Sequence, residues 1–593
     1  MILKHTKNTD VNIRKGAVHC LLEIGRSFYD YLEENISGLL SVTSYSMVND
    51  EESVAILTYE FWCSIGDIEI ARSQTRNTNL PCRQYCNRSY VQLLEVIYPH
   101  LLLINSNNNY DEENWTLSKA ASCLLSILSQ CCDYDLIQSV INFIGSNINQ
   151  ANSFTQEASI LAFGAILDTT HKENMSNLVV NSVDTLMSFM LDPNSKESLK
   201  DTTSWVIEKI SELYGEYFLK HLDLFEKLYL NILNLLVTSK KKVVCHLCNS
   251  LHFFSLAFKP VDGQNSSILS KHLKNSFDTL LKLAFTSKSY DAEHNVAMSS
   301  FYAIGSLIEH SAPDTKFYIQ GIFQELLEAF KSTLEAKYFE NDKMRHDYQS
   351  YIATCLECCL ISYKLTLNYE ASKEILNLII HSFKERNTVY EEGLMAASSI
   401  ALAFGPGFDS LVNDFGSYLI YSLNSTNDTA LCKTGIHSTS DLIRSIGPHF
   451  SKYLDQIVPI ILNILSDREA DKVLKPNAFN VISDIFVVCL DNAFKYFNEI
   501  MDLIGSALEA ATYLPEDKED FENLEYFESL REHIIECLTC IFHTVRDLNK
   551  EQEFKKYVEP IVVFINQINT NDYCPTIVNF IFYIFVFIGT YEK

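Results

Sequence analysis

One layout recurs twelve times along the chain: a polar or charged start, small residues early, and an apolar second half. It appears as VNIRKGAVHCLLEIG from Val11, EESVAILTYEFWCSIGD from Glu51 and SKAASCLLSILSQCC from Ser118. It returns as FTQEASILAFGAIL from Phe154, LKDTTSWVIEKISEL from Leu199 and KVVCHLCNSLHFF from Lys242. Further copies begin at His294, Tyr348, Tyr390, Cys432, Leu474 and Leu530, and the tail from Cys574 reads as a thirteenth. One more apolar helix lies between successive copies. Within them the period is helical: Leu454, Ile457, Val458, Ile461, Leu462 and Leu465 form one stripe, and Ala478, Phe479, Ile482, Ile485, Phe486 and Cys489 form the next. The polar run Ser466–Lys472 separates them as a turn.

A single helix pair cannot bury both of its stripes, whereas pairs stacked side by side can. A spacing of roughly 40 residues with two helices per unit is the HEAT period; the shorter TPR period and its Trp/Gly/Tyr pattern do not fit. The expected fold is all-α: a HEAT-repeat alpha-solenoid of about 12–13 antiparallel pairs, running as one continuous array over residues 1–593. Only 18 glycines and 12 prolines punctuate 593 residues, which disfavours turn-rich sandwiches and propellers and leaves few places for Gly-rich phosphate loops. Three segments interrupt the period: Arg72–Ser89 with Pro81, the Asn-rich then acidic loop at about 105–115, and the acidic Pro515–Tyr526. Loops carry function more often than packed helices do.

The formal net charge is −28, from 47 Lys+Arg against 75 Asp+Glu. That excludes general nucleic-acid binding, which needs basic surface, and suits a basic partner. The 17 cysteines are scattered within apolar helical stretches, and Met1–Asp10 is polar, so a cytosolic or nuclear chain with reduced thiols is expected. The apolar run Ile577–Gly589 is too short to span a bilayer and contains Asn579, so no membrane association is expected. No nucleophile elbow, P-loop or clustered acid–base set occurs, which excludes catalytic residues and a cofactor. Cys245 and Cys248 form a Cys-x-x-Cys around His246, but no second ligand pair follows at zinc spacing, so no metal is expected and the cysteines read as small core residues.

Carboxylates beside aromatic rings are the candidate binding groups. Asp111, Glu112 and Glu113 stand immediately before Asn114 and Trp115, which opens a helix. Trp205 follows Asp201 and Thr202 near the start of its helix, with Glu212 seven residues on; Glu60 and Asp67 are seven apart on the helix that carries Trp62. Seven residues is nearly two helical turns, so each such pair shares a face. Carboxylates can pair with Lys/Arg while the ring packs on aliphatic stems or guanidinium planes. Spacing alone leaves the alternative open that the tryptophans are core and the carboxylates merely solvated.

At these residues the chain resembles the importin-beta (karyopherin-beta) family, in order, over nearly its whole length. EFWCSIGD (Glu60–Asp67), DEENWTLSKAASCLLSILSQCC (Asp111–Cys132), ASILAFGAIL (Ala158–Leu167) and DTTSWVIEKISEL (Asp201–Leu213) are similar to consecutive repeats of that family. EEGLMAASSIALAFGPGF, LKPNAFNVISDIF and LREHIIECL extend the similarity into the C-terminal third. The resemblance implies a nuclear import receptor, in the cytoplasm, the nucleus and at the nuclear pore. Its inner helices would wrap the basic helix of an importin-alpha-like adaptor, or a basic cargo. It implies that Glu60, Asp67, Asp111, Glu112, Glu113, Trp115, Trp205 and Glu212 bind that basic segment. It further implies that Asp111, Glu112 and Glu113 contribute to Ran-GTP binding, and that Phe-Gly nucleoporins bind between outer helices. Three departures accompany it. His246 stands at a third family tryptophan position, the acidic loop is shorter with Asn107–Asn109 in it, and the chain starts at what resembles about the sixth repeat. The last departure carries the expectation that a basic helix is held but Ran-GTP releases it poorly. A non-transport HEAT scaffold remains the alternative; the Asp111–Trp115 loop together with Trp205 discriminates against it.

Overall fold

The computed structural model describes residues 2–74, 80–103, 115–261, 263–286, 295–335, 339, 341–363, 367–512 and 521–567. Among these no strand forms. The chain groups into two compact units, Met1–Ala312 and Pro313–Lys593.

After a single helical turn at Ile2–His5, the first unit runs through α1 (Val11–Ser27), α2 (Ile36–Asn49), α3 (Glu52–Gln74) and α4 (Tyr85–Leu101). It continues with α5 (Leu117–Cys131), α6 (Tyr134–Asn147), α7 (Ser153–Ile166), α8 (Lys172–Leu191) and α9 (Glu197–Tyr214). It ends with α10 (Leu222–Thr238), α11 (Lys241–Ala257), α12 (Leu273–Thr286) and α13 (Val296–Glu309). The second unit repeats the alternation from Lys316–Thr333 to Val558–Gln567. All twelve recurring segments coincide with a helix, and from Val11 to Asp547 every second helix is one of them. The copy from Cys574 lies outside the described residues.

The helix boundaries follow from the local sequence. Asp10, Thr116 and Asn152 cap α1, α5 and α7, each accepting a hydrogen bond from a backbone N–H of the first turn. Asn368 and Asp428 do the same in the second unit. At the end of Glu391–Phe404 the chain turns at Gly405 with φ +71°, a conformation that residues with a Cβ rarely adopt, and Pro406 opens the following short turn.

The odd-numbered helices of the first unit pack extensively on one another, whereas the even-numbered ones touch more sparsely. Unequal spacing bends a stack toward its tighter layer, so the odd-numbered helices line the concave side of this unit. Both sequence stripes in the second unit are buried in full, over Leu454–Leu465 and Ala478–Cys489. The stretch Leu474–Ala511 is apolar enough in composition to suggest a membrane span, but it is two helices around a short turn at Leu490–Tyr496, with its apolar stripes turned inward.

Side-chain bonds between successive rungs recur at a separation of about 40 residues. Examples are Tyr59 to His100 at 2.6 Å, Ser398 to Ser438 at 3.3 Å, His437 to Asn477 at 2.9 Å and Asn492 to Ser451 at 3.1 Å. They read the repeat length from geometry and agree with the sequence period.

Two loops are shorter than the sequence suggests. Arg72, Ser73 and Gln74 are helical and so is Tyr85–Ser89, because Arg72 lies over the Tyr29 ring and pairs with Asp30 at 2.8 Å while Tyr85 is buried. Likewise Phe521–Tyr526 already belongs to the helix Phe521–Asp547.

Candidate functional site

Glu60, Asp67, Trp205 and Glu212 lie on the odd-numbered layer of the first unit. Glu60 and Asp67 are both exposed on α3, as their spacing requires, whereas Trp62 between them is fully buried and donates its indole N–H to Thr43 at 3.0 Å. Asp67 has its carboxyl raised, first by the crowding of neighbouring groups and then by nearby Cys131, against the opposing pull of Arg26. Asp111, Glu112 and Glu113 lie outside the described residues. Trp115 stands just before the cap Thr116 rather than within a helix, and it is 53% exposed. The end of its loop is fixed by Glu52 of α3, which accepts the Leu117 N–H at 3.3 Å.

Trp205 sits midway along α9, not near its start as the sequence suggests, because α9 begins at Glu197. Its ring lies on the bare backbone of Gly164 in α7: a Cβ there would meet ring atoms at 2.2 and 2.8 Å. The absence of a side chain at residue 164 therefore lets the indole lie flat across the neighbouring rung. Lys209, one turn on, has its ammonium 5.3 Å from the Trp205 ring centroid and donates to the Gly164 carbonyl at 3.3 Å. Burial lowers the pKa of Lys209, while Asp168 and the exposed Glu212 act to raise it. The groove therefore already holds one cation in the arrangement the sequence reading assigns to a ligand's Lys or Arg: over an indole, between carboxylates.

His246 on α11 fills the next rung. Its Nδ1 is hydrogen-bonded to Glu208, and its Nε2 lies 3.8 Å from Asp201. Asn249 donates to the other Glu208 oxygen at 2.9 Å. Glu208, Lys209 and Asp168 escaped the sequence reading. Asp201 and Glu208 are seven apart, the same signal that marked Glu60 and Asp67; Lys209 and Asp168 have no local signal, since their roles arise only across rungs.

Two substitutions probe this arrangement. Gly164→Ala is expected to lift the Trp205 ring from α7 without altering any charge, seen as a shift in tryptophan fluorescence and a several-fold weaker hold on a basic helix. Lys209→Met is expected to bind such a helix about 2- to 5-fold more tightly, because the incoming cation no longer competes with a resident one worth about 0.5–1 kcal/mol on the ring. Titration calorimetry with a Lys/Arg-rich helical peptide measures both.

On its convex side the first unit has an apolar cavity of about 240 Å³ between α6 and α8, floored by α7. Ile141, Ile144, Ile160, Phe163, Leu178 and Leu186 line it.

These features define a helical-repeat protein with an acidic, tryptophan-bearing concave layer and an apolar slot behind it. A family profile described as importin subunit beta-1-like, TPR repeats, matches residues 227–578, and the chain belongs to that family, the importin-beta or karyopherin-beta proteins. Importin subunit beta-1 of Arabidopsis thaliana is 24% identical over 586 residues, covering 96% of this chain and 66% of the relative. That of Schizosaccharomyces pombe is 23% identical, covering 97% and 67%. A crystal structure of importin beta superposes with a TM-score of 0.84 at 22% identity, over 97% of this chain and 67% of the other. Yeast Kap95p in complex with Nup1 gives 0.82 at 22% identity, over 96% and 65%. The chain thus spans about two thirds of the length of the relatives it matches.

Proposed function

We propose that this chain is a nuclear transport receptor that holds a Lys/Arg-rich helical segment of an adaptor or cargo on the concave layer of its first unit. The observation that carries the reading is the indole of Trp205 laid on Gly164 among Asp168, Asp201, Glu208 and Glu212. Glu60, Asp67 and Trp115 extend it along the layer. An importin-alpha-like adaptor helix is the fitting ligand class, with Asp111, Glu112 and Glu113 adding charge at the loop before Trp115.

Solved relatives carry partners of three kinds: Kap95p with Nup1, Kap95p with RanGDP, and Kap121p with Pho4p. By analogy, this chain takes a Phe-Gly nucleoporin side chain in the slot between α6 and α8 and contacts Ran-GTP partly through Asp111, Glu112 and Glu113. It then works between cytoplasm and nucleus, by way of the nuclear pore, as a binding protein rather than an enzyme.

The test is titration of a basic adaptor helix at increasing salt. Opposite charges on an open face are screened over about 8 Å at physiological salt and about 3 Å at 1 M, so affinity should fall by about tenfold or more across that range. A salt-independent affinity, or none for a basic helix, overturns the reading.

A further inference from the structure

Four of the chain's cysteines converge on one buried carboxylate at the junction of α3, α4 and α5. Glu69 is 1% exposed. Its Oε1 accepts from the Tyr29 hydroxyl at 2.8 Å and the Tyr85 N–H at 2.5 Å, and its Oε2 from the Cys86 N–H at 3.2 Å. No lysine or arginine among the described residues bonds to it; the nearby Arg72 is committed to Asp30 and the Tyr29 ring. The Sγ atoms of Cys86 and Cys131 and a carboxylate oxygen of Glu69 all lie within 4.8 Å of one another. Cys132 stands beside Cys131, and Cys82 is close enough to feel both Glu69 and Cys131.

We propose that Glu69, Cys86 and Cys131 bind a thiophilic divalent cation of the zinc class, with Cys132 available as the fourth donor. The donor set is chemically apt: thiolates and a carboxylate bind Zn²⁺ tetrahedrally, at about 2.3 Å to sulfur and about 2.0–2.2 Å to oxygen. Those bond lengths put ligand atoms about 3.5–3.8 Å apart, so the three donors need close in by about 1.3 Å at most. The surrounding shell is in place, since the Tyr29 hydroxyl and the Tyr85 and Cys86 N–H groups orient the carboxylate as outer partners orient metal ligands. Cys131 is half-buried and gives solvent a route to the cluster.

Binding exchanges two thiol protons for one Zn²⁺. The Cys86 proton and the Cys131 proton, the latter now directed at the Ile127 carbonyl 3.3 Å away, pass to solvent. The two thiolates and the carboxylate then leave the site with a charge of −1 in place of the buried carboxylate alone, so the charge is unchanged while every donor gains a partner. The cation would tie α3, the start of α4 and the end of α5 into one joint. The expectation of no metal rested on ligands at close spacing, whereas these donors lie 17 and 45 residues from one another along the chain.

The full chain, purified with its thiols reduced and stripped of metal, is titrated with Co²⁺ as a spectroscopic probe. One equivalent per chain should give thiolate-to-cobalt charge-transfer absorption, removable by Zn²⁺. Cys86→Ser, Cys131→Ser and Glu69→Gln should each lose it, or weaken binding by at least tenfold, while Cys245→Ser on α11 keeps it. Circular dichroism establishes that each variant remains folded; Glu69→Gln preserves the shape of the buried group and serves if a cysteine variant does not fold. Absence of stoichiometric cobalt binding, or binding unchanged in Cys131→Ser and Glu69→Gln, overturns the proposal. So does conversion of Cys86 and Cys131 to a disulfide in the presence of excess metal.

Discussion

Trp205→Ala is expected to weaken the hold on a Lys/Arg-rich helix by about 30-fold, equivalent to about 2 kcal/mol, with little change in thermal stability. The indole offers a broad flat surface on which a guanidinium or lysine stem packs. Because the ring is only half-buried, its loss opens the groove rather than the core. Trp115→Ala is expected to act in the same direction and with similar size, since that ring is half-exposed and held at a fixed point by the Glu52 anchor. If the two act independently, the double variant loses about a thousandfold. Isothermal titration with one basic helix measures all three; wild-type affinity in folded single variants would remove both rings from the site.

The third tryptophan is expected to behave in the opposite way. Trp62→Ala should cost about 3–5 kcal/mol, from the lost burial of the largest core side chain and the cavity it leaves. The Thr43 hydroxyl also loses its donor. In a stack held by nearest neighbours this loss is local, so hydrogen exchange should accelerate in α2 through α4 well before the second unit responds. Basic-helix binding by the folded protein at low temperature should change far less than in Trp205→Ala. Uniform acceleration across both units would show that cooperativity extends further than adjacent rungs.

The contrast between these tryptophans marks where sequence reasoning stops. The stripe at Leu454–Leu465 was legible because a 3.6-residue period is written in neighbouring letters, and the repeat count followed from twelve such stripes. Glu60 and Asp67 were legible for the same reason: seven residues return to one face. Trp62 and Trp205, however, each lie near carboxylates at that spacing, and nothing within either helix tells which ring turns inward. The answer depends on a neighbouring helix: Thr43 receives one indole, and bare Gly164 lies beneath the other. The same dependence hid His246 against Glu208 and Glu69 against Cys86 and Cys131. Loops of unequal length separate these partners, so their alignment is set by packing, not by counting.

The bonds that join one rung to the next, such as Tyr59 to His100 and Ser398 to Ser438, bear on how such a chain can drift over generations. A change in one rung needs an answering change only in the rungs on either side, about 40 positions away, and not throughout the molecule. Descent can therefore rewrite most letters in small neighbourly steps, each repaired locally, while the backbone path is kept. That is how 22% identity coexists with a TM-score of 0.84. Among many such sequences, paired substitutions should accordingly concentrate at a lag of one repeat and fade beyond it.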